Sequence, residues 1–202
     1  FDGSEFEPTR GTQFEIGVKA DLNDRLSTTL AWYNITQSNV TTEDPDNIGF
    51  EVQTGKQRSR GIELNLAGEI LPGWNIFASY AYNDAEVTED NVIPVGNRVE
   101  QSTPHAASLW TTYEIQGGDL QGLGFGLGLF YVGDRAGDRE NTFEVPSYLI
   151  TNAAIFYKRN AFRAALNFNN LFDIDYFESA FNDLRVHPGT PFTVQGTVSW
   201  EF

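Results

Sequence analysis

Apolar residues fall on every second position along most of this chain. In residues 12–20, Phe14, Ile16, Val18 and Ala20 alternate with Gln13, Glu15, Gly17 and Lys19, which is the period of a strand with one apolar face. Further runs occupy residues 26–40, 50–70, 74–87, 105–115, 123–132, 148–157 and 161–169, with an extension of the last through Tyr176 left open. The final stretch, residues 191–202, sets Phe192, Val194, Val198, Trp200 and Phe202 on one parity, opposite Thr193, Gln195, Thr197, Ser199 and Glu201. The pattern predicts nine long strands and no helix.

The breaks between the runs are of two kinds. Residues 21–25, 71–73, 116–119 and 158–160 make short turns, whereas residues 43–46, 88–103, 133–144 and 179–189 make polar loops. Short turns at one end and long loops at the other are the pattern of a transmembrane antiparallel β-barrel. The apolar parity, Leu127 for example, is expected to face lipid; the glycine parity, Gly126 for example, is expected to face the lumen and to tolerate serine. Bacterial single-chain barrels use even strand numbers. Nine strands, an opening Phe1, no Met and no leader lead to the expectation that residues 1–202 are the C-terminal part of a larger barrel.

Composition narrows the classes. The mean hydropathy of -0.35 is compatible with membrane strands, because alternation hides their apolar face from a window average. The longest apolar stretch, residues 123–132, is broken by Gly124, Gly126 and Gly128, so a membrane-spanning helix is excluded. Aromatic residues make up 14% and gather at the ends of runs, as interfacial girdles do. A net charge of -15 argues against nucleic acid as a partner, which needs clustered cations. The chain has no Cys, which removes disulfides, thiolate metal sites and a Cys nucleophile.

Catalytic patterns are missing from the sequence. His105 and Ser108 differ by three positions, which places them on opposite faces of a strand. There is no Gly-x-Ser-x-Gly elbow, and the glycines of residues 123–132 are alternate strand positions that open no helix. His105 and His187 lack ligand-spaced partners, and Asp173-Ile174-Asp175 lacks the Gly and distal Glu of a calcium loop. The expectation is therefore no enzyme, no resident metal and no cofactor.

Several stretches resemble the C-terminal third of TonB-dependent siderophore receptors of the ferrichrome and pyoverdine type. They are residues 59–64, 72–74 and 78–85, then Thr103-Pro104-His105 with residues 108–113, Asn169-Asn170-Leu171-Phe172-Asp173 with Tyr176, and Val198-Ser199-Trp200-Glu201-Phe202. The resemblance runs from about Glu7 to Phe202. It implies the last nine strands of a twenty-two-stranded outer-membrane barrel of a Gram-negative-type bacterium, without the plug that contacts the TonB complex, and residues 1–10 as the end of an external loop. The implied ligand is a ferric siderophore, carried as cargo.

On that resemblance, Tyr82, Trp110, Phe181, Arg185 and His187 are candidate ligand contacts in the lumen and external loops. Arg98, Arg135, Arg139 and Arg185 could attract anionic chelates, although Glu86, Glu89, Asp90, Asp134, Asp138 and Glu140 share their loops. Val198, Trp200 and Phe202 are candidates for the signal read by the barrel assembly machinery, through strand addition at an open edge. Outer-membrane lipid and lipopolysaccharide are the expected surroundings. Cobalamin, haem or a sugar is the alternative cargo, and a soluble lipocalin-like binding module is the competing class.

Overall fold

A computed structural model describes residues 5–201, apart from the side chain of Phe181. Its strands are β1 (Arg10–Asn23), β2 (Leu26–Glu43), β3 (Glu51–Leu71), β4 (Trp74–Glu89), β5 (His105–Glu114), β6 (Leu123–Val132), β7 (Arg135–Ala136), β8 (Glu144–Val145), β9 (Tyr148–Arg159), β10 (Phe162–Asn169), β11 (Phe177–Asn182), β12 (Arg185–Pro188) and β13 (Thr193–Trp200). Nine of them form one sheet in the order β1-β2-β3-β4-β5-β6-β9-β10-β13, every pair antiparallel. These nine are the nine runs read from the alternation. Among the described residues there is no helix.

The register turns the separate alternations into one surface. Val18 pairs with Leu30, Leu30 with Leu64, Leu64 with Tyr80, Tyr80 with Ala107, Ala107 with Tyr131, and Tyr131 with Leu149. The adjacent rows hold Ile16, Trp32, Ile62 and Tyr82, and then Leu66, Ala78, Leu109 and Leu129. Large apolar side chains on this face are open, among them Phe14 at 62%, Ile16 at 64% and Leu30 at 50% exposure. An uncovered apolar surface on this scale is not stable in water and calls for a hydrocarbon solvent.

Aromatic residues mark the two borders of that surface. At the turn end, Trp74 pairs with Tyr113, Tyr113 with Phe125, and the rings of Phe162 and Trp200 meet edge to face at 6.0 Å. At the loop end, Phe14 meets Trp32 at 6.1 Å, and Tyr80 and Tyr82 flank His105. Tyr82 lies eight positions after Trp74 on β4, about 26 Å along the strand and about 20 Å of height at the usual tilt, commensurate with an apolar band of about 25 Å.

The opposite face is polar and locally fitted. The Tyr33 and Ser59 hydroxyls both donate to Asn83 Oδ1, at 3.1 and 2.7 Å, and Ser79 meets Ser108 at 2.7 Å. The alternate glycines of β6 make room for rings from the neighbouring strands. A Cβ on Gly128 would lie 2.5 Å from the Trp110 ring, and one on Gly124 would lie 2.2 Å from Phe156. At Gly126 a Cβ would stand 3.0 Å from Trp110 and 3.2 Å from the Ala154 Cβ. The expected serine at Gly126 therefore needs the indole or Ala154 to give by a few tenths of an ångström, less than at Gly124 or Gly128.

Three further details concern strand ends and loops. The eighth run ends at Asn169, because Asn170 and Asp173 turn the chain with φ of 49° each. The long loops contain two short hairpins, β7–β8 and β11–β12, that alternation did not reveal. The strand β1 starts at Arg10, and residues 1–4 of the expected external loop lie outside the described residues.

A wall one residue thick has no core of its own. Most buried apolar side chains instead lie at the loop end: Ala85, Val87, Ile93, Ala136, Val145 and Ala180. The outer edges of β1 and β13 have no partner among the described residues. Backbone N–H and C=O groups along such edges cannot be satisfied by lipid, so in a membrane the sheet needs further strands.

Candidate functional site

The buried cluster at the loop end is built from three segments: residues 90–104, the β7–β8 hairpin and the β11–β12 hairpin. The first is shaped by Asp90, whose Oδ1 accepts the Val92 and Ile93 N–H groups at 2.9 Å each and the Thr42 hydroxyl at 2.7 Å. Burial pushes the Asp90 carboxyl up, but the N–H groups of Ile93 and Val92, the Thr42 hydroxyl and the Arg139 charge together outweigh it and hold it below the usual range. Farther along, residues 96–99 run beside β4 through Gly96 N–H to Val87 O and Val99 N–H to Ala85 O.

The second segment is tied to the first by Arg98 and Asn141. Arg98 Nη1 donates to Asp134 at 2.9 Å, and its Nη2 donates to Glu144. That bond from Arg98 keeps Asp134 below the ordinary carboxylate range. Arg98 N–H donates to Asn141 Oδ1 at 2.8 Å, while Asn141 Nδ2 returns a bond to Arg98 O at 2.9 Å. Asn141 adopts a φ of 58°, a left-handed conformation that Asn tolerates better than most residues.

The third segment is rooted by the Asn-Leu-Phe-Asp turn. Asn170 is 3% exposed, and its Nδ2 donates to Ile174 O at 2.9 Å and Thr190 O at 3.2 Å, while its Oδ1 accepts Ile174 N–H at 3.0 Å. Asp173 Oδ1 accepts Phe192 N–H at 2.7 Å, and the Tyr148 and Tyr176 rings stand 4.5 Å apart. These bonds fix where the chain leaves β10 and where it enters β13.

The candidate ligand contacts do not converge. Tyr82 lies on the apolar face, paired with His105 at a ring distance of 5.3 Å, so it belongs to the girdle and is withdrawn from the lumen set. Trp110 projects from the other face, midway down β5, flat over Gly126 and Gly128. Arg185 and His187 sit two apart on β12 and are both exposed, with Ser179 opposite His187. Phe181 falls in β11, and its side chain lies outside the described residues. The loop layer thus keeps Arg185 and His187 as a pair, with Trp110 deeper and apart from them.

The loop arginines also separate. Arg98 is paired with two carboxylates, and Arg139 with Asp90 at 3.4 Å. Arg135 is buried, and no carboxylate lies within ion-pair distance of it among the described residues. At 3% exposure it is not open to an anionic chelate, as the sequence reading allowed, and its structural role, like those of Gln101 and Asn170, goes beyond that reading. The Asn-Leu-Phe-Asp run carried a usable signal, since Asn and Asp are the residues that enter left-handed turns. No local signal marked Gln101, whose partner Ala180 is 79 positions away.

The assembly candidates lie on β13. Val198 and Trp200 point to the apolar face at 72% and 59% exposure, paired with Ala164 and Phe162. Phe202 lies outside the described residues. Among the described residues no group of three His, Cys, Asp or Glu could hold a metal ion.

Comparison with known proteins fits this geometry. The family described as "TonB dependent receptor-like, beta-barrel" matches residues 1–171. The metal-pseudopaline receptor CntO of Pseudomonas aeruginosa is 40% identical over 193 residues, 94% of this chain and 27% of that protein. The ferrichrome outer membrane transporter/phage receptor of Escherichia coli K12 is 37% identical, over 100% of this chain and 28% of that protein. Among solved structures, the siderophore receptor PiuA from Acinetobacter baumannii superposes with a TM-score of 0.84 at 31% identity, covering 94% of this chain and 28% of that one. This chain therefore spans little more than a quarter of the length of the relatives it matches. With the family's barrel description on residues 1–171 and an outward apolar face rimmed by aromatics, the chain belongs to the TonB-dependent receptor family, in its β-barrel portion.

Proposed function

We propose that this chain forms part of the wall and external mouth of an outer-membrane receptor that imports a ferric siderophore, energised by the TonB complex through a plug elsewhere in the polypeptide. The observation that carries the reading is similarity along the whole chain to proteins described as ferrichrome, ferrioxamine B and catecholate siderophore receptors. The nine-stranded sheet supplies wall, with its edges continued by further strands of the same barrel. The loop layer supplies the mouth, where exposed Arg185 and His187 would meet the chelate, with Trp110 on the inward wall below them. No residue is assigned catalysis. A soluble lipocalin-like module is set aside, because the family is that of a membrane receptor barrel.

Two further partners belong to this proposal. Above the loop-end girdle, outward positions of β3 and β4 change from apolar side chains to ion pairs: Lys56–Glu89 at 2.7 Å, Arg58–Glu86, and Arg60–Asp84 at 2.8 Å. That change suits a wall leaving hydrocarbon for the phosphates and sugars of lipopolysaccharide. At β13, Val198 and Trp200 with the terminal Phe202 would be read by the barrel assembly machinery; deleting Phe202 should lower the amount of receptor inserted, and unchanged insertion would sink that role.

A second reading concerns the cargo metal, since a relative at 40% identity is described as a metal-pseudopaline receptor. Both readings meet in one experiment. The full-length receptor is produced in cells lacking their own siderophore receptors, and uptake of radiolabelled iron and zinc is measured with ferrichrome, ferrioxamine B and pseudopaline as carriers. Iron uptake with a siderophore that stops when TonB is deleted is the expected result. Uptake of zinc alone would replace the iron reading, and TonB-independent uptake would refute both.

A further inference from the structure

Among the described residues the β11–β12 hairpin pairs only with itself and contributes no strand to the nine-stranded sheet. Its position is nevertheless fixed from outside. Arg135 Nη2 donates to Phe177 O at 3.0 Å and to Glu178 O at 3.1 Å, so one guanidinium nitrogen grips two successive carbonyls at the start of β11. Its Nη1 reaches Gly133 O at 3.3 Å, and the guanidinium lies 5.5 Å over the Tyr148 ring, which itself stands against Tyr176. Gln101 makes a second tie: its amide exchanges bonds with Ala180 O at 2.7 Å and Ala180 N–H at 3.3 Å, while its own N–H donates to Ala136 O at 3.0 Å. Around these ties Ala136, Val145 and Ala180 are buried to 0%, 1% and 6% exposure.

Arg135 is unusual in this setting. It is 3% exposed, and its partners among the described residues are carbonyls and a ring. Burying a cation without a counter-charge is costly, and a planar fork of donors is what can bridge several carbonyls at once. A lysine would keep the charge and lose the fork. A neutral side chain would leave the Phe177 and Glu178 carbonyls without this donor.

We propose that Arg135 is the positioning residue of the β11–β12 hairpin, holding it so that Arg185 and His187 are presented at the mouth before a ferric chelate arrives. This rests on the reading of Arg185 and His187 as chelate contacts. Holding the hairpin in its bound orientation removes an ordering cost that the chelate would otherwise have to meet. The hairpin and the loop layer then respond to a ligand as one body.

The test uses the full-length receptor in lipid nanodiscs, with Arg135→Met, Arg135→Lys and an Arg185→Ala/His187→Ala double variant. Hydrogen exchange is followed with and without ferrichrome and ferrioxamine B, and binding of both is measured. In Arg135→Met, amides of residues 177–188 should exchange at least about tenfold faster while β5, β6 and β9 keep their protection. Arg135→Lys should fall between Met and wild type. Affinity for the chelate that binds should drop about tenfold in Arg135→Met, and that chelate should restore more protection to the hairpin than it adds in wild type. Unchanged exchange at residues 177–188 overturns the proposal, as does faster exchange with unchanged affinity. Wild-type binding of both chelates by the double variant would overturn the contact reading instead, whatever the exchange shows for Arg135.

Discussion

Replacing Asn170 by alanine should open the root of the last external loop. The side chain is 3% exposed and makes three hydrogen bonds, two donated by Nδ2 to Ile174 O and Thr190 O and one accepted by Oδ1 from Ile174 N–H. At about 1 kcal/mol net for each bond, their loss costs about 3 kcal/mol. Alanine must also hold the φ of 49°, which adds roughly 1–2 kcal/mol for a residue with a Cβ. The sum, about 4–5 kcal/mol, predicts a fall of roughly three orders of magnitude in protection of the Ile174 amide. Asn170→Gly loses the same bonds without the backbone term and should be milder by about tenfold. The assay is residue-resolved hydrogen exchange in the full-length receptor in lipid vesicles, with β10 and β13 as internal controls. Unchanged protection at Ile174 in Asn170→Ala, or a glycine variant worse than alanine, would refute the reasoning.

Three shorter predictions concern other parts of the molecule. Leu127→Arg places a cation on the apolar face near mid-strand of β6 and should cost about 2–4 kcal/mol in urea titrations in vesicles; a neutral result would contradict the assignment of that face. Gly128→Ala puts a methyl group 2.5 Å from the Trp110 ring, so it should cost about 1–3 kcal/mol and alter the near-ultraviolet dichroism of the indole, whereas a wild-type spectrum would mean the ring is not seated there. Asp134 and Asp90 both have depressed folded values, so their contribution to the loop layer is complete above the ordinary aspartate value of about 3.9 and is lost as pH falls through the lower folded values. Pepsin should therefore spare residues 133–147 at pH of about 4.5, above the ordinary aspartate value, and cut them once the pH is low enough to protonate both carboxylates; equal cutting under both conditions would count against the two carboxylates.

The wall was legible in the sequence and the mouth was not, for a physical reason. A strand with lipid on one side and a polar lumen on the other must alternate without interruption, so residues 12–20 or 123–132 declare themselves by parity alone. Along the sequence Tyr82 shares its parity with Trp74, Ile76, Ala78 and Tyr80, and the pairing of Tyr82 with His105 places that group on the girdle side. The glycines of β6 were read correctly as alternate positions, but their purpose depends on Trp110 and Phe156 from neighbouring strands. In the mouth, β7 and β8 are two residues each, too short to show a period. What orders them is a set of long-range bonds, such as Gln101 to Ala180 and Arg135 to Phe177, whose partners no local window contains.

One surface defines this wall, the alternate positions of nine strands that meet lipid. Because this chain contains no Cys, single cysteines carrying an environment-sensitive fluorophore can be placed on either parity in a cysteine-free full-length receptor. The sites are Leu64, Leu127 and Ile155 on one face and Asn65, Thr112 and Asn152 on the other. In vesicles with brominated acyl chains, the first set should be quenched by the lipid and indifferent to aqueous iodide, and the second set should be the reverse. Lipid quenching of Asn65, Thr112 and Asn152, with iodide reaching Leu64, Leu127 and Ile155, would contradict the account.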